Sequence, residues 1–427
     1  MFYFKYALKS LIQRRRQYVS LFVVCIVAVS IIISLLSILE GMVDALNKKS
    51  IQFYGGELQL ICSNRWCIEY PNEKEEILSN CLKEMNSKAK VFRRFDFDGT
   101  NTQFYFEGSN TYCRILKGVD FSEEKDLFES FTFIDGDVKS AGKNDILISQ
   151  SVAEKLGCRS GDSVTIIIET LNGYINTVNW TVKGIFQDSS LFGMYTTYTD
   201  INSLVELVEY PIGFVNRLAI FSPENLFSMN QVKILQNKLE KYLNMISIPK
   251  QKEKIGDSNV KFSDPYYALI TLDANRPEVV MMSNALRLIV YLIIIPLVLI
   301  VAIGISCSYR VVILKRIVET STFRALGLKA RGVEKLFFTE VLMILLVGFI
   351  VGTGLSFAVT AIIGHFNFSF IPAFDLFLIG GRIKADYSFW KIIFVLFIIA
   401  FSTLTGVFVT LRNIIRLSPA KAFATTV

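Results

Sequence analysis

The stretch from Tyr309 to Leu336 reads YRVVILKRIVETSTFRALGLKARGVEKL and lies between two long apolar runs. Apolar side chains recur at helical spacing at Val312, Leu314, Ile317, Val318, Phe323 and Leu326, and Gly327 follows as a stop. A second short helix is expected from Ala330 into the next apolar run. Seven basic residues (Arg310, Lys315, Arg316, Arg324, Lys329, Arg331, Lys335) stand against only Glu319 and Glu334. A short basic loop between two spanning helices is kept on the cytoplasmic side. The segment is too short for a domain, yet it has helix periodicity and a stop signal. It therefore reads as a pair of short helices that dock on something in the cytoplasm.

Working outward, the run before this segment, Asn284 to Ser308, has Arg287 at its outer end and Pro296 inside, which a membrane span tolerates. The run after it, Leu336 to Gly364, contains Gly348-x-x-x-Gly352 and then Gly354. Small residues at that spacing let helices approach closely in lipid. Glu340 lies about one turn inside the apolar boundary, where an ionisable group is costly and usually partnered. Pairing with a basic residue of the loop is expected, ahead of proton transport. The loop 365–388 holds the sole histidine, His365. A fourth run, Phe389 to Leu411, leads to a tail with Arg412, Arg416 and Lys421.

At the other end, residues 2–13 set Phe4, Leu8, Leu11 and Ile12 against Lys5 and Lys9, the pattern of a helix lying at the membrane surface. Arg14-Arg15-Arg16 then precedes Tyr18 to Leu39, a run long enough to span and too long for the apolar core of a signal peptide. Glu40-Gly41 is expected to end this helix at the far surface, with Glu40 as an interfacial charge. Residues 42–282 contain no further spanning run and must form a large extracytoplasmic domain. The fold class expected is a membrane α-helical protein of four transmembrane helices, with a large mixed α/β extracytoplasmic domain inserted between helices 1 and 2. The division expected is 1–17 interfacial helix, 18–41 first span, 42–282 outer domain, 283–308 second span and 309–335 coupling segment. It continues with 336–364 third span, 365–388 outer loop, 389–411 fourth span and 412–427 tail, both termini being cytoplasmic.

Within the outer domain, strands are expected at Glu57–Ile61, Gln103–Glu107, Cys113–Gly118, Ile146–Ser149 and Ser163–Thr170. Asn172-Gly173 marks a hairpin into Tyr174–Phe186, and further strands are expected near Met194–Tyr198 and Val215–Phe221. Helices are expected at Gln150–Leu156 and from Pro223 to about Leu243. The stretch from about 62 to 112 is less regular and is expected as a second subdomain, and the polar residues 248–264 read as a loop.

Composition narrows the function. Hydrophobic residues make up 52% of the chain and charged ones 19%, which points to membrane insertion. The net charge of +7 does not call for nucleic acid, because the basic residues cluster beside apolar spans. Of seven cysteines, five lie in the middle region, an odd number that excludes a complete disulfide framework. Cys62 and Cys67 are close enough to pair, although independent buried thiols are the simpler reading. A single histidine leaves no Ser-His-Asp triad, and no zinc-ligand spacing occurs. The nearest approach to a phosphate loop, Gly136 to Asn144, has its glycines one residue too far apart and Asn144 in place of Ser or Thr. No catalytic residue, directly bound cofactor or metal site is expected, so any energy must come from a partner.

These residues resemble the FtsX-like permease family of ABC transporters, and within it the lipoprotein-releasing permeases of LolC/LolE type. The resemblance rests on Arg316-x-x-Glu319-x-x-x-Phe323-Arg324-Ala325-Leu326-Gly327 followed by Glu340 and the glycine-rich third span. It rests also on ILISQSVAEKLGCRSGDSV with WTVKGIF, which is similar to the family's periplasmic core, and on the tail RLSPAKAF. Thr320-Ser321 departs from the family's usual Ile-Gly. The resemblance implies that Arg316, Glu319, Phe323, Arg324, Ala325, Leu326 and Gly327 form a coupling helix resting on a separate cytoplasmic ABC ATPase dimer, which binds the ATP and Mg. It further implies a second permease subunit, the same or homologous, and a bacterial inner-membrane location. Lipoprotein or other amphipathic cargo would be released from the outer leaflet by mechanotransmission, with a possible periplasmic acceptor. The alternatives are an efflux permease for macrolides or peptides, or a non-transporting regulator of an extracytoplasmic hydrolase.

Overall fold

The computed structural model describes residues 2–62, 68–85, 87–129, 131–139, 141–188, 196–222, 227–248, 266–368 and 370–415. In chain order the elements begin with α1 (Phe2–Gln13), α2 (Arg15–Tyr54), β1 (Leu58–Cys62), α3 (Pro71–Glu84), β2 (Lys90–Phe106) and β3 (Ser109–Val119). They continue with α4 (Lys125–Phe128), β4 (Phe133–Gly136), β5 (Asp145–Ser149), α5 (Gln150–Leu156), β6 (Ser163–Glu169) and β7 (Ile175–Phe186). Next come β8 (Thr196–Asp200), α6 (Ile201–Leu207), β9 (Arg217–Phe221), α7 (Met229–Leu239) and β10 (Tyr267–Thr271). The chain ends with α8 (Leu272–Asn275), α9 (Pro277–Lys315), α10 (Ile317–Ala325), α11 (Ala330–His365) and α12 (Phe389–Ile415). Two compact units result: Met1–Val43 with Asn284–Asn367 and Ile383–Val427, and Asp44–Ser283 with Phe368–Arg382.

In the helical unit, four helices among the described residues are long and apolar enough to cross a membrane: α2, α9, α11 and α12. Their shared core runs from Tyr18, Leu21, Cys25 and Val29 of α2 to Ile305 and Tyr309 of α9, Phe337 and Ile344 of α11, and Ile399 and Val407 of α12. The expected helix end at Glu40-Gly41 is corrected. α2 runs on to Tyr54, because Val43 and Leu46 continue its buried stripe, and it stops where Gly55 and Gly56 take left-handed φ of 78° and 98°. The second short helix expected from Ala330 is not separate, since it forms the first turns of α11. α9 passes through Pro296 without a break and starts at Pro277, seven residues before the apolar run begins.

The sheet unit has ten strands among the described residues, in the order β10-β1-β9-β2-β3-β8-β5-β7-β4, with β6 pairing β2 and β7. β2 is its longest strand. One edge pairs β9 over Lys90–Arg94 and β6 over Gln103–Tyr105, while the other edge pairs β3, with a register shift between Asp98 and Thr102. One core lies around Phe104, Leu116, Ile148, Val164 and Trp180, and a second around Leu60, Leu78, Leu218 and Leu235. Local sequence dictates much of this. Ser149 caps α5 by accepting a hydrogen bond from the Val152 N–H, and Gly157 ends the helix at φ 75°. Gly173 turns the β6–β7 hairpin at φ 82°.

The irregular stretch from 62 to 112 holds α3, all of β2 and the start of β3. The proposed Cys62–Cys67 pairing lies outside the described residues, since 63–67 are not among them. Cys62 is buried and hydrogen-bonds Tyr267, and the thiols of Cys81, Cys113 and Cys158 are buried. The Pro223 helix start, the loop beyond Ile248 and the tail motif also lie outside the described residues; α7 itself opens on a capping box of Ser228 and Gln231.

A charged knot sits beneath β2. Asp96 Oδ2 accepts from Lys117 Nζ at 3.0 Å and pairs Arg217 Nη1 at 3.0 Å. Lys117 also donates to the Phe53 carbonyl and lies 4.5 Å from the Phe53 ring centroid. Burial lowers the Lys117 pKa more than Asp96 restores it, to about 8. Between that value and the ordinary value of 10.5, the unfolded chain holds a proton that the folded chain has released, so this lysine adds stability as pH rises. Lys117→Met should remove that contribution. The stability difference between wild type and variant, read by denaturant titration, should shift by about 1–2 kcal/mol toward wild type between pH 8 and 10. A pH-independent difference would contradict the assignment.

Candidate functional site

The helices of the first unit converge on one buried acid. Glu340 is fully buried on α11, and Arg316, at the α9–α10 junction, is 1% exposed. Arg316 Nη1 lies 2.8 Å from Glu340 Oε2 and 3.0 Å from Oε1. Tyr18 of α2 and Tyr309 of α9 each donate to Glu340 Oε2 at 3.1 Å, and Arg316 Nη1 donates to the Tyr18 hydroxyl at 3.0 Å. The Arg316 guanidinium carbon stands 5.1 Å from the Phe337 ring centroid. A buried charge persists only when its partner and remaining lone pairs are satisfied, and here both tyrosines complete the set.

A second ion pair extends the first outward. Arg316 Nε donates to Glu319 Oε2 at 3.0 Å, and Arg14, in the turn between α1 and α2, binds Glu319 Oε1. Burial alone would raise the Glu319 pKa, but hydrogen bonds from Arg14 and Arg316 outweigh it and hold the carboxyl below its ordinary range. Phe323 is half-buried, packs on the helical core and meets Tyr6 of α1 edge to face at 5.6 Å between centroids. α10 is thus fastened on its inner side by Arg316, Glu319 and Phe323. On the outer side Leu326 is 80% exposed, and Gly327 turns the chain at φ 92°, with Lys329 and Arg331 exposed beyond it.

The structure therefore divides the residues proposed for docking. Arg316 faces inward and is consumed by Glu340 and Glu319; Leu326 and Gly327 face outward; Arg324 is half-buried; the Ala325 side chain is outside the described set. Gly348 and Gly352 meet α2: a Cβ on Gly348 would lie 2.5 Å from Cys25 Sγ, and one on Gly352 would lie 2.9 Å from the Ile26 carbonyl oxygen and from Val29. Gly354 differs from them within this chain: no heavy atom among the described residues would lie within 4 Å of its Cβ. Glu40 pairs with Lys391 of α12 at 2.5 Å, in mid-helix rather than at a helix end.

Residues 291–419 match the family described as FtsX-like permease C-terminal. The chain carries an FtsX-like permease domain. This domain takes in Tyr309, Arg316, Glu319 and Glu340, whereas Arg14 and Tyr18 reach the same network from upstream of it. FtsX-like permeases are generally non-catalytic transmembrane subunits that work with an ABC ATPase, and four apolar helices fit a multi-pass inner-membrane protein. No curated protein matches the chain. Among solved structures, the periplasmic region of MacB from Actinobacillus actinomycetemcomitans is 10% identical with a TM-score of 0.31, over 54% of this chain and 95% of its own. A domain of a putative permease from Porphyromonas gingivalis is 14% identical with a TM-score of 0.26, over 44% of this chain and 76% of its own.

Sequence reasoning about the FtsX-like domain missed Tyr18, Tyr309 and Arg14. Tyrosines at span ends read as interfacial anchors, and an arginine in a triple-Arg run reads as a topology signal, so neither pattern announces a buried network. The clue available was Glu340 itself, whose position within an apolar helix demands several donors.

Proposed function

We propose that the chain is the permease subunit of an ABC transporter that releases lipoproteins or other amphipathic cargo from the outer leaflet of the cytoplasmic membrane. A separate ATPase dimer supplies ATP hydrolysis, and a second permease subunit completes the assembly. The observation that carries the reading is the pairing of opposite faces on α10: an inner face fixed by the Arg316–Glu340 and Arg14–Glu319 pairs, and an outer tip presenting Leu326. An exposed apolar knob on a rigidly anchored helix suits a groove on a partner, because a push on the knob reaches three helices without being absorbed by a floppy loop. In this reading residues 309–335 face the cytoplasm and the sheet unit lies outside.

Leu326→Asp should abolish co-purification of the ATPase while leaving membrane insertion intact, because an acid at the tip desolvates poorly in an apolar groove. ATP-dependent release of a lipoprotein from proteoliposomes holding permease and ATPase should fall to background in the same variant. Retained co-purification would overturn the docking surface. Docking without lipoprotein release, in the wild type, would overturn the cargo.

A further inference from the structure

The open edge of β2 forms the strongest unassigned feature of the sheet unit. β9 leaves that edge after Arg94 and β6 joins it only at Gln103, so the residues between have no strand neighbour on this side. A cavity of about 740 Å³ occupies the gap, within the range of sites that hold drug-sized ligands. Its wall includes Asp96, Phe97, Asp98, Thr102, Glu169 and Tyr210. The register shift between Asp98 and Thr102 places extra residues of β2 here, and such irregularities commonly re-aim side chains at a site.

The polar groups of this wall are unequally used. Its cation, Arg217, is turned inward and engaged by Asp96 Oδ2 at 3.0 Å, Gln59 Oε1 at 3.3 Å and Asn216 Oδ1 at 3.3 Å. Acceptors are left over. Asp96 Oδ1 and Thr102 Oγ1 are buried with no hydrogen-bond partner among the described residues, and Thr102 is only 1% exposed. Asp98 uses Oδ1 to hold Thr100, and Glu169 uses Oε2 to hold Asn101 at 2.7 Å, which leaves one oxygen of each open at the rim. A buried acceptor without a donor is expensive, and a ligand that donates removes the cost. Phe97, Tyr210 and Leu171 supply apolar and aromatic surface beside these oxygens.

We propose that this cavity binds a cationic group on an apolar stem, an ammonium or guanidinium carried by an aromatic or aliphatic body. The excess of carboxylate and hydroxyl oxygens takes the donor, and the aromatic faces take the stem and part of the charge. The site stands independently of the transporter reading, since nothing in it uses α10 or the helical core. The cation can arrive as a free amine or as the side chain of a basic peptide.

Calorimetry on the full-length protein in nanodiscs separates these sources with tryptamine and acetyl-Phe-Lys-amide, with indole-3-propionate as the anionic control. At least one of the two cations should bind saturably, and the anion should bind at least about tenfold more weakly. The double variant Asp98→Asn, Glu169→Gln changes exposed side chains and should weaken the cation about tenfold. Thr102→Val keeps the shape, should weaken binding several-fold, and should leave thermal stability equal or higher because it deletes an unsatisfied hydroxyl. Binding of tryptamine alone assigns the site to free amines, and binding of the dipeptide alone to basic peptides. Absence of saturable binding by both, equal binding of the anion, or wild-type affinity in both variants would overturn the proposal.

Discussion

Replacing Glu340 by Ala should cost about 3–5 kcal/mol of stability, because it removes the buried partner of Arg316 Nη1 and leaves the guanidinium only Glu319, on its Nε side, as a counter-charge. The loss comes chiefly from the buried guanidinium edge left unpaired rather than from the missing attraction. Replacing both members should therefore restore much of it: a Glu340→Met, Arg316→Met double variant is expected within about 1–2 kcal/mol of wild type. Denaturant titration in micelles checks both numbers. The same double variant unfastens α10, since Arg316 also holds Glu319. It should fold and, in the transporter proposed above, lose ATPase-driven output. A double variant as unstable as Glu340→Ala would mean that the two tyrosines, not the ion pair, govern this junction.

The second large effect is expected at Gly41. A Cβ there would collide with the carbonyl oxygen of Lys384 and lie 3.1 Å from the Ala385 Cα, so backbone opposes backbone and neither side can rotate away. The contact is reinforced on the same side of α2 by the Asp386 N–H, which donates to the Ser37 carbonyl at 2.9 Å, and by the Glu40–Lys391 pair. Gly41→Ala should destabilise by at least about 1–3 kcal/mol even though alanine is the better helix former by about 1 kcal/mol. Gly354→Ala is the matched control: it faces open space and should be neutral or stabilising by about 0.5–1 kcal/mol. Thermal unfolding of the two variants side by side decides the matter. Equal behaviour would show that the approach of residues 384–386 to α2 is not tight.

Hydropathy and charge made the spans legible, because an uncharged apolar run long enough to cross lipid is rare in a water-soluble fold. Gln150–Leu156 was legible to the residue, since Ser149 and Gly157 punctuate it on both sides. Helix ends without such punctuation were not. Glu40-Gly41 looked like a stop because a charge and a glycine usually mean water, and only the structure reveals that the glycine admits a neighbouring backbone and that the charge has a lysine waiting. The demand of Glu340 for a partner was readable, and its choice of Arg316 fell within the expected segment. Its two tyrosines were not readable, because they come from positions 18 and 309 and meet only when the helices pack. β10 escaped for a further reason: a short apolar run carries no period that separates strand from helix.

The seventeen-residue length of β2 has a consequence for how the sheet unit comes apart. Val91 near its start packs on one hydrophobic core, and Phe95 and Phe104 further along belong to the other, so a single strand is gripped by both. Loosening either grip frays hydrogen bonds on which the other relies. The two halves are thereby bound into one cooperative body, and neither could be inherited, excised or melted as a module by itself.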